Sequence, residues 1–413
     1  MERVKKNRAV LLAVLILIAF SVAAPAFCDE QKVDPKLDPW LKAAMLGQYT
    51  PAKEDWNVVV TKATAEGKVV IYSSTSRIQR VKDLFQKTYP GVTLEAYDME
   101  TLQIHEKFGR EYQSGINNVD VIMNDATPQM YDFWLKGMIF RYVPERVAAK
   151  VPDFFKDWLL TQRYGPGQVC YYNPSYWKAK PPVTNLWDFT KEEWKGKIAI
   201  ADPTQHGDTL AALTLLTFPE NSAMLARSYE KLFGKPVDLK GMRNAGYLYI
   251  SMIAKNKVTI VKSDDNVMEL VGAKGQAGMP PFGLFVTMSK LRQIAEKGLD
   301  LAVLAPGVLD PFEELGQPPT SDLTGSVIGI AANSQHPFAA RLLIDFLMGD
   351  ENGDGGFAPW HVIGNWSTRT DVKNAPGDVQ NRSELKSMPG KPDVNWVREN
   401  QPRVRDFWLT QVF

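Results

Sequence analysis

The sequence has few cysteines and few histidines. It contains two cysteines, Cys28 and Cys170, and four histidines in 413 residues. If the segment before Asp29 is removed on export, Cys170 is the only thiol left and no disulfide can form within the chain. The histidines lack a zinc-type spacing such as His-Glu-x-x-His, and no Gly-x-Ser-x-Gly motif occurs. A hydrolase is therefore the weaker alternative, and we predict no metal and no cofactor.

The sequence also lacks an excess of charge of either sign. It has 48 basic and 47 acidic residues, which gives a formal net charge of +1. Such a chain creates no long-range field for nucleic acid or anionic membrane. We therefore predict a small-molecule ligand rather than a nucleic-acid partner. After the N-terminal segment, no apolar run is long enough to cross a bilayer.

The N-terminal segment has the features of an export signal. Arg3, Lys5, Lys6 and Arg8 precede an apolar run from 9 to 24 that ends in small residues around Ala26. We predict a signal peptide over 1–27, its removal, and a periplasmic protein. A lipid anchor on Cys28 and a retained membrane helix are the alternatives. The residue before Cys28 is Phe27, although lipoproteins need a small residue there.

The remaining residues, roughly 385, suit two lobes better than one core. Strands and helices alternate with short connections from residue 66 onward, which is typical of parallel sheets covered by helices. We expect an N-terminal arm over 28–57 that lies on the first lobe. The first lobe is predicted to comprise 58–165 and 284–340. The second is predicted to comprise 166–283 and 341–413, including a C-terminal tail. The return crossing is expected near 282–288, so that strand Ala302–Leu304 rejoins the first lobe.

Polar residues follow several predicted strands at the point where a helix begins. Helix N-termini present unpaired amide groups that bind carboxylate or phosphate oxygens. The resulting candidate ligand-binding residues are Ser73, Ser74, Thr75, Asn124, Asp125, Thr127, His206, Asp208, Thr209 and Asp265, with Phe282 as a candidate stacking partner. Helix capping is the alternative role for the hydroxyls and acids. If several acids face the cleft, the ligand carries ammonium groups instead.

Four segments, in this order, resemble extracellular solute-binding proteins of ATP-driven importers. They are Gly67-Lys-Val-Val-Ile-Tyr-Ser-Ser, Val119-Asp-Val-Ile-Met-Asn-Asp, Trp187-Asp-Phe with Trp194-Lys-Gly-Lys-Ile-Ala-Ile-Ala-Asp-Pro, and Gly325-Ser-Val-Ile-Gly-Ile with His336-Pro-Phe-Ala-Ala. The resemblance covers about residues 58–372 and is to the branch with ferric-iron, thiamine and phosphosugar or phosphonate binders. It implies the α/β, two-lobed, type 2-like periplasmic-binding-protein fold, with two parallel-rich sheets joined by two crossing strands. It also implies membrane permease and ATPase subunits as partners of a monomeric, non-enzymatic protein.

Ferric iron is the sharpest alternative ligand. The iron-binding relatives use an adjacent tyrosine pair late in the second lobe, and the corresponding place here, Met279-Pro-Pro-Phe282, contains no tyrosine. Tyr171 and Tyr172 are adjacent, but successive residues of a strand point to opposite faces. We therefore predict a small organic or phosphorylated anion as the ligand, with ferric binding through atypical ligands as the alternative.

Overall fold

The computed structural model describes residues 30–166, 169–178, 181–304, 323–378 and 394–412. The predicted signal peptide, 1–27, lies outside these ranges.

Helices and strands alternate along most of the chain, as the sequence pattern predicts. The helices are α1 Asp38–Ala44, α2 Trp56–Glu66, α3 Ile78–Thr88, α4 Thr101–Gln113, α5 Thr127–Leu135, α6 Glu145–Ala148, α7 Gly207–Leu216, α8 Pro219–Phe233, α9 Ala245–Lys255, α10 Asp264–Gly272, α11 Gln293–Lys297, α12 Pro337–Leu347 and α13 Val394–Val412. The strands are β1 Lys68–Ser73, β2 Thr93–Asp98, β3 Val121–Asn124, β4 Ile139–Phe140, β5 Leu160–Pro166, β6 Val169–Tyr172, β7 Ile198–Ala201, β8 Thr259–Val261, β9 Phe282–Val286, β10 Ala302–Leu304, β11 Leu323–Ala331 and β12 Trp366–Ser367.

The first lobe is built on a seven-stranded sheet with the order β12-β5-β11-β3-β1-β2, in which β4 also pairs with β11. Strand β1 is parallel to β2 and β3, whereas β11 is antiparallel to β3 and β5. Val69 and Ile71 of β1 belong to one core cluster, and Val70 and Tyr72 belong to the cluster on the opposite face. Both faces are covered, which explains the continuous apolar run of β1.

The second lobe is built on a five-stranded sheet with the order β10-β6-β9-β7-β8. Strand β7 is parallel to β8 and β9, and β6 is antiparallel to β9 and β10. Ile198 and Ile200 pack on one face, while Ala199 and Ala201 pack on the other. The fold is thus α/β with two lobes, but each sheet is mixed: only three of its strands form the parallel part.

The chain crosses back to the first lobe later than predicted, that is, after the predicted position near 282–288. The chain leaves the first sheet in β5 and enters the second in β6, as expected. However, β9 and β10 both pair with β6, so 284–304 belongs to the second lobe and not to the first. The chain returns between Leu304 and Leu323. An apolar strand pattern identifies a strand, but it does not show which sheet the strand joins.

The C-terminal region is also divided between the two lobes in a different way from the prediction. Residues of α12, together with Phe357, Trp360 and Val372, lie in a first-lobe core cluster, and β12 pairs with β5. Residues 341–378 therefore belong to the first lobe, although they were predicted in the second. Of the tail, α13 packs against the second lobe through α7 and α9, and it also contacts α5 of the first lobe.

Residues 30–55 pack on the first lobe. Leu37 and Leu41 are buried in its core, and the Trp40 indole N–H donates to the Ser334 carbonyl at 2.9 Å. The backbone N–H of Lys32 donates to the Leu135 carbonyl at 2.8 Å. These contacts hold the arm against the first lobe.

Candidate functional site

A cavity lies between the two lobes, where the carboxyl ends of strands from both sheets meet. Its volume is about 250 Å³, slightly below the ~300–1,000 Å³ typical of small-molecule pockets. The first lobe lines it with residues 74–77, 98–101, 125 and 163, and the second lobe with residues 206, 208, 263–265, 287, 289, 290 and 292. Open sheets with parallel strands bind ligands at this position. The cavity is therefore the candidate binding site.

The turn between β1 and α3 forms part of the first-lobe wall. The Ser74 backbone N–H donates to the Met123 carbonyl at 3.1 Å, and its hydroxyl accepts from the Asp125 N–H at 3.0 Å. The Thr75 hydroxyl accepts from the Arg77 N–H at 3.4 Å. These bonds fix the hydroxyl-rich turn against the end of β3, at the start of α3.

Arg77 ends this turn and is the most unusual residue of the cavity. It is 6% exposed, and its Nη1 has no hydrogen-bond partner among the described residues. Burial lowers the pKa of Arg77 well below its ordinary value, and the neighbouring cations Arg292 and Arg163 lower it further. A buried guanidinium costs several kcal/mol of desolvation unless it is paired. The fold thus leaves a positive group in the cavity that lacks a full set of partners.

The second cation of the first-lobe wall, Arg163 on β5, is paired. Its Nη2 lies 2.5 Å from Oδ2 of Asp125, and its Nη1 donates to Oδ1 of Asn365 at 3.1 Å. The hydroxyl of Ser326 donates to the other oxygen of Asp125 at 2.5 Å. Arg163 and Asp125 therefore form a fixed ion pair on the wall.

The second-lobe wall contains another charged side chain, Asp265, that is paired with groups of opposite charge. Asp265, in the first turn of α10, accepts from Lys290 at 2.6 Å and from Gln293 at 2.6 Å, and Arg292 lies 3.9 Å away. Burial alone would raise the pKa of Asp265, but the cations lower it to about 2. Asp265 is thus ionised and neutralised by its neighbours.

Three further acids, Asp98 on the first lobe and Asp208 and Asp264 on the second, also line the cavity. Burial raises the pKa of Asp208 to about 7; the nearby His206 opposes this shift, and Asp125 and Asp264 add to it. Asp264 is 4% exposed, and its Oδ1 has no hydrogen-bond partner in the described part of the chain. Nε2 of His206 lies 3.7 Å from this oxygen, too far for a hydrogen bond. Burial, and then Glu100 and Asp265, also raise the pKa of Asp98.

The lobes touch each other at one side of the cavity. The backbone N–H of Gly207, at the start of α7, donates to the hydroxyl of Thr101 at 2.8 Å. A Cβ on Gly207 would lie 3.0 Å from the Ala126 Cβ and 3.0 Å from the Thr101 hydroxyl, so any larger residue would push these neighbours apart. Arg80 of α3 and Glu296 of α11 form a second contact between the lobes, at 3.1 Å.

The structure brings six of the predicted residues to the cavity. These are Ser74, Thr75, Asp125, His206, Asp208 and Asp265.

The other five predicted residues do not line the cavity, which corrects their assignment. Ser73 and Asn124 are fully buried, and Asn124 donates to the Thr101 carbonyl at 3.0 Å. Thr209 is fully buried beside Nδ1 of His206, and its backbone N–H donates to that atom at 3.4 Å. Phe282 packs against Phe189 and Trp194 in the second-lobe core. Thr127 begins α5 but lies outside the cavity lining.

Sequence reasoning missed the basic residues of the cavity. Arg77 directly follows the predicted hydroxyl cluster, so its position was a usable signal. Arg163, Lys290 and Arg292 come from a crossing strand and from the 3₁₀ helix Met288–Arg292 after β9. No local pattern marks these three, because the sheet pairing brings them to the cavity.

The tyrosine pair takes no part in the site. Tyr171 is fully buried and donates to the Thr287 and Met288 carbonyls at 2.9 Å each. It belongs to one core cluster of the second lobe, and Tyr172 packs against the other. Within the described residues, no group of three or more His, Cys, Asp or Glu side chains is placed to hold a metal ion. None of the described helices has the length and hydropathy of a membrane span.

The chain belongs to the family of bacterial extracellular solute-binding proteins, whose profile it matches over residues 79–387. No curated protein matches it in sequence.

Solved structures share the fold. Iron-bound HitA from Pseudomonas aeruginosa is 16% identical with a TM-score of 0.60, and the match covers 82% of this chain and 98% of HitA. AfuA from Actinobacillus pleuropneumoniae, with fructose-6-phosphate bound, is 15% identical with a TM-score of 0.62, covering 84% and 98%. The substrate-binding protein of an ABC transporter from Agrobacterium tumefaciens is 17% identical with a TM-score of 0.58, covering 84% and 94%. The chain thus has the two-lobed fold of periplasmic binding proteins.

Proposed function

We propose that this protein is the substrate-binding component of an ABC importer. It captures a small organic or phosphorylated anion between its lobes and delivers it to the membrane permease and ATPase subunits. The family describes solute binding in general, and the structural relatives include one titled as iron-bound and one titled as bound to a phosphosugar. The choice of an anion therefore rests on the cavity itself.

The observation that carries the proposal is Arg77. Its guanidinium is buried in the cavity, and Nη1 has no partner in the described part of the chain. An anionic oxygen that pairs with this group offsets its desolvation cost and adds a charge-assisted hydrogen bond. Ser74 and Thr75 also line the cavity, and their hydroxyl groups can donate to further oxygens of the same ligand.

We also propose that residues 1–27 are removed on export and that the protein acts as a monomer in the periplasm. The basic start and apolar run of that segment support removal. The family description supports a location outside the cytoplasm.

Native mass spectrometry of the protein recovered from the cell envelope tests the bound solute, the removal of residues 1–27 and the monomeric state together. We expect a monomer without residues 1–27 and a bound small organic or phosphorylated solute. The variant Arg77→Gln should lose the solute, since a hydrogen bond to a charged group contributes about 1.5–3 kcal/mol, or roughly a 10- to 150-fold change in affinity. Arg110→Gln is the matched control, because Arg110 is an exposed arginine of the same lobe outside the cavity.

Two results would contradict the proposal. One is a bound ferric ion in place of an organic solute. The other is equal retention of the solute by Arg77→Gln and by the wild type.

A further inference from the structure

Two helical segments, one from each lobe, meet beside the cavity. On the first lobe, Arg77 and Arg80 lie three residues apart at the start of α3. On the second lobe, Arg292 and Glu296 lie four residues apart, where the 3₁₀ helix Met288–Arg292 continues into α11. Residues at these spacings share one face of a helix. The two faces are in contact, because Nη1 of Arg80 lies 3.1 Å from Oε1 of Glu296.

This contact places Arg77 and Arg292 next to each other across the lobe interface. Each precedes its neighbour in the Arg80–Glu296 contact by about one turn, and both line the cavity. After burial, the charge of Arg292 is the largest cause that lowers the pKa of Arg77. Two guanidinium groups from opposite lobes therefore face the same space, and like charges in a partly buried site repel each other.

The acids that contact Arg292 are shared with other cations. Glu296 has Arg80 at one oxygen and Nε of Arg292 at the other, 3.2 Å away. Oδ1 of Asp265 accepts from Lys290 at 2.6 Å and lies 3.9 Å from Nη2 of Arg292, which is too far for a hydrogen bond. Neither carboxylate is thus available to Arg292 alone.

The acids that act on Arg77 are also bound elsewhere. The charges of Glu296 and Asp125 raise the pKa of Arg77 and so oppose the effect of Arg292. However, Asp125 is paired with Arg163 at 2.5 Å, and Glu296 is shared as described. Nη1 of Arg77 has no hydrogen-bond partner among the described residues. Compensation of this arginine pair by the surrounding acids is therefore incomplete.

We infer that one anionic group of the solute binds Arg77 and Arg292 together, and that without it their repulsion favours the open arrangement of the lobes. This inference rests on the proposed function and adds a second-lobe residue to its anion site. An anionic group between two guanidinium groups replaces one repulsion by two attractions, and each guanidinium can donate two parallel hydrogen bonds to it. The same two residues then bind the solute and couple its binding to closing.

The first test measures solute binding. Native mass spectrometry compares the wild type with Arg292→Gln, both purified without denaturation. We expect Arg292→Gln to lose the solute that the wild type retains, since loss of one charge-assisted hydrogen bond weakens binding roughly 10- to 150-fold. Arg243→Gln is the matched control and should retain the solute, because Arg243 is an exposed arginine of the second lobe outside the cavity.

The second test measures the lobe arrangement without any solute. The proteins are unfolded to remove bound solute and refolded, and small-angle X-ray scattering gives their radii of gyration. Empty Arg292→Gln should have a smaller radius than the empty wild type, because one of the two repelling charges is gone. Empty Arg292→Lys should keep the wild-type radius but bind the solute more weakly, since lysine keeps the charge and lacks the planar fork.

A purely structural role of Arg292 would not separate the glutamine variant from the lysine variant in this way. Thermal unfolding of the empty proteins shows whether each variant is folded. If Arg292→Gln does not fold, Arg77→Gln provides the same comparison of radii from the first lobe.

The outcomes separate this inference from the proposed function. If Arg77→Gln loses the solute and Arg292→Gln retains it, the proposed function stands and the shared anion site is wrong. If the empty glutamine variants have the radius of the empty wild type, the two guanidinium groups do not oppose closing, which also overturns the inference. If both glutamine variants retain the solute, the inference and the anion assignment fail together.

Discussion

Arg77 and Asp264 show how single residues can mark a candidate binding site. In a folded interior, nearly all polar groups have partners, and exceptions need a physical explanation. Nη1 of Arg77 and Oδ1 of Asp264 are two such exceptions, and both residues line the cavity between the lobes. Paired groups of the same cavity, such as Arg163 with Asp125, instead give it a fixed shape. In the proposed function, Arg77 binds the ligand, and the paired groups position the walls.

Asp208 also gives a pH-dependent prediction. Its pKa is raised from 3.8 to about 7 in the folded protein. Between these values the folded state binds a proton that the unfolded state has lost, so the free energy of unfolding falls as the pH rises. Asp208→Asn removes this titration. The stability of the variant relative to the wild type should therefore increase from about pH 4 to about pH 7 and then level off.

Urea unfolding of both proteins across this pH range measures the difference. A difference that stays constant with pH would show that Asp208 has its ordinary pKa in the fold. The comparison isolates one residue, because Asp265 and the other titrating groups are the same in both proteins.

At the scale of elements, the sequence predicted where strands end and helices begin. It did not predict which residues from distant parts of the chain lie beside those points. The end of β1 was identified from an apolar run followed by hydroxyls, and Ser74 and Thr75 indeed line the cavity. Arg163 was missed because it reaches the cavity only when β5 pairs with β11, where it lies opposite Ser326. Such pairing joins residues that are far apart in the sequence.

The predictions that Phe282 and Thr209 line the cavity were wrong for a related reason. Phe282 begins a strand that is buried on both faces, so its apolar pattern does not indicate which residues face the cleft. Thr209 and Asp208 are neighbours in the first turn of α7, but successive residues on a helix point about 100° apart. Only Asp208 faces the cavity, while Thr209 packs beside His206.

The junction between the lobes gives the element-scale prediction. Gly207 lies so close to Ala126 and Thr101 that an added Cβ would meet both at 3.0 Å. Gly207→Ala should therefore hinder contact between the lobes at a cost of about 1–3 kcal/mol. Affinity for the solute identified by mass spectrometry should fall roughly 5- to 150-fold, as measured by calorimetry.

Gly109→Ala is the matched control. Gly109 lies within α4, and a Cβ there would meet nothing within 4 Å. This change should keep the affinity and stabilise the helix by about 0.5–1 kcal/mol. Equal affinities for Gly207→Ala and the wild type would mean that this contact plays no part in binding.

At the scale of the whole molecule, the cavity has one wall on each lobe. The chain passes from the first sheet to the second between β5 and β6 and returns before β11. Lobes joined in this way can rotate relative to each other about their connections. In the proposed function, a ligand that contacts both walls stabilises the closed state relative to the open one. Transport then requires release of the solute when the lobes open at the permease.

A crystal structure of the protein purified without denaturation, with its solute retained, tests the central claim most directly. The account predicts a small molecule in the cavity with an anionic oxygen about 2.7–3.2 Å from a guanidinium nitrogen of Arg77 and the rest of the molecule against the second-lobe wall. A solute bound outside this cavity, or an uncharged or cationic group against Arg77, would contradict it.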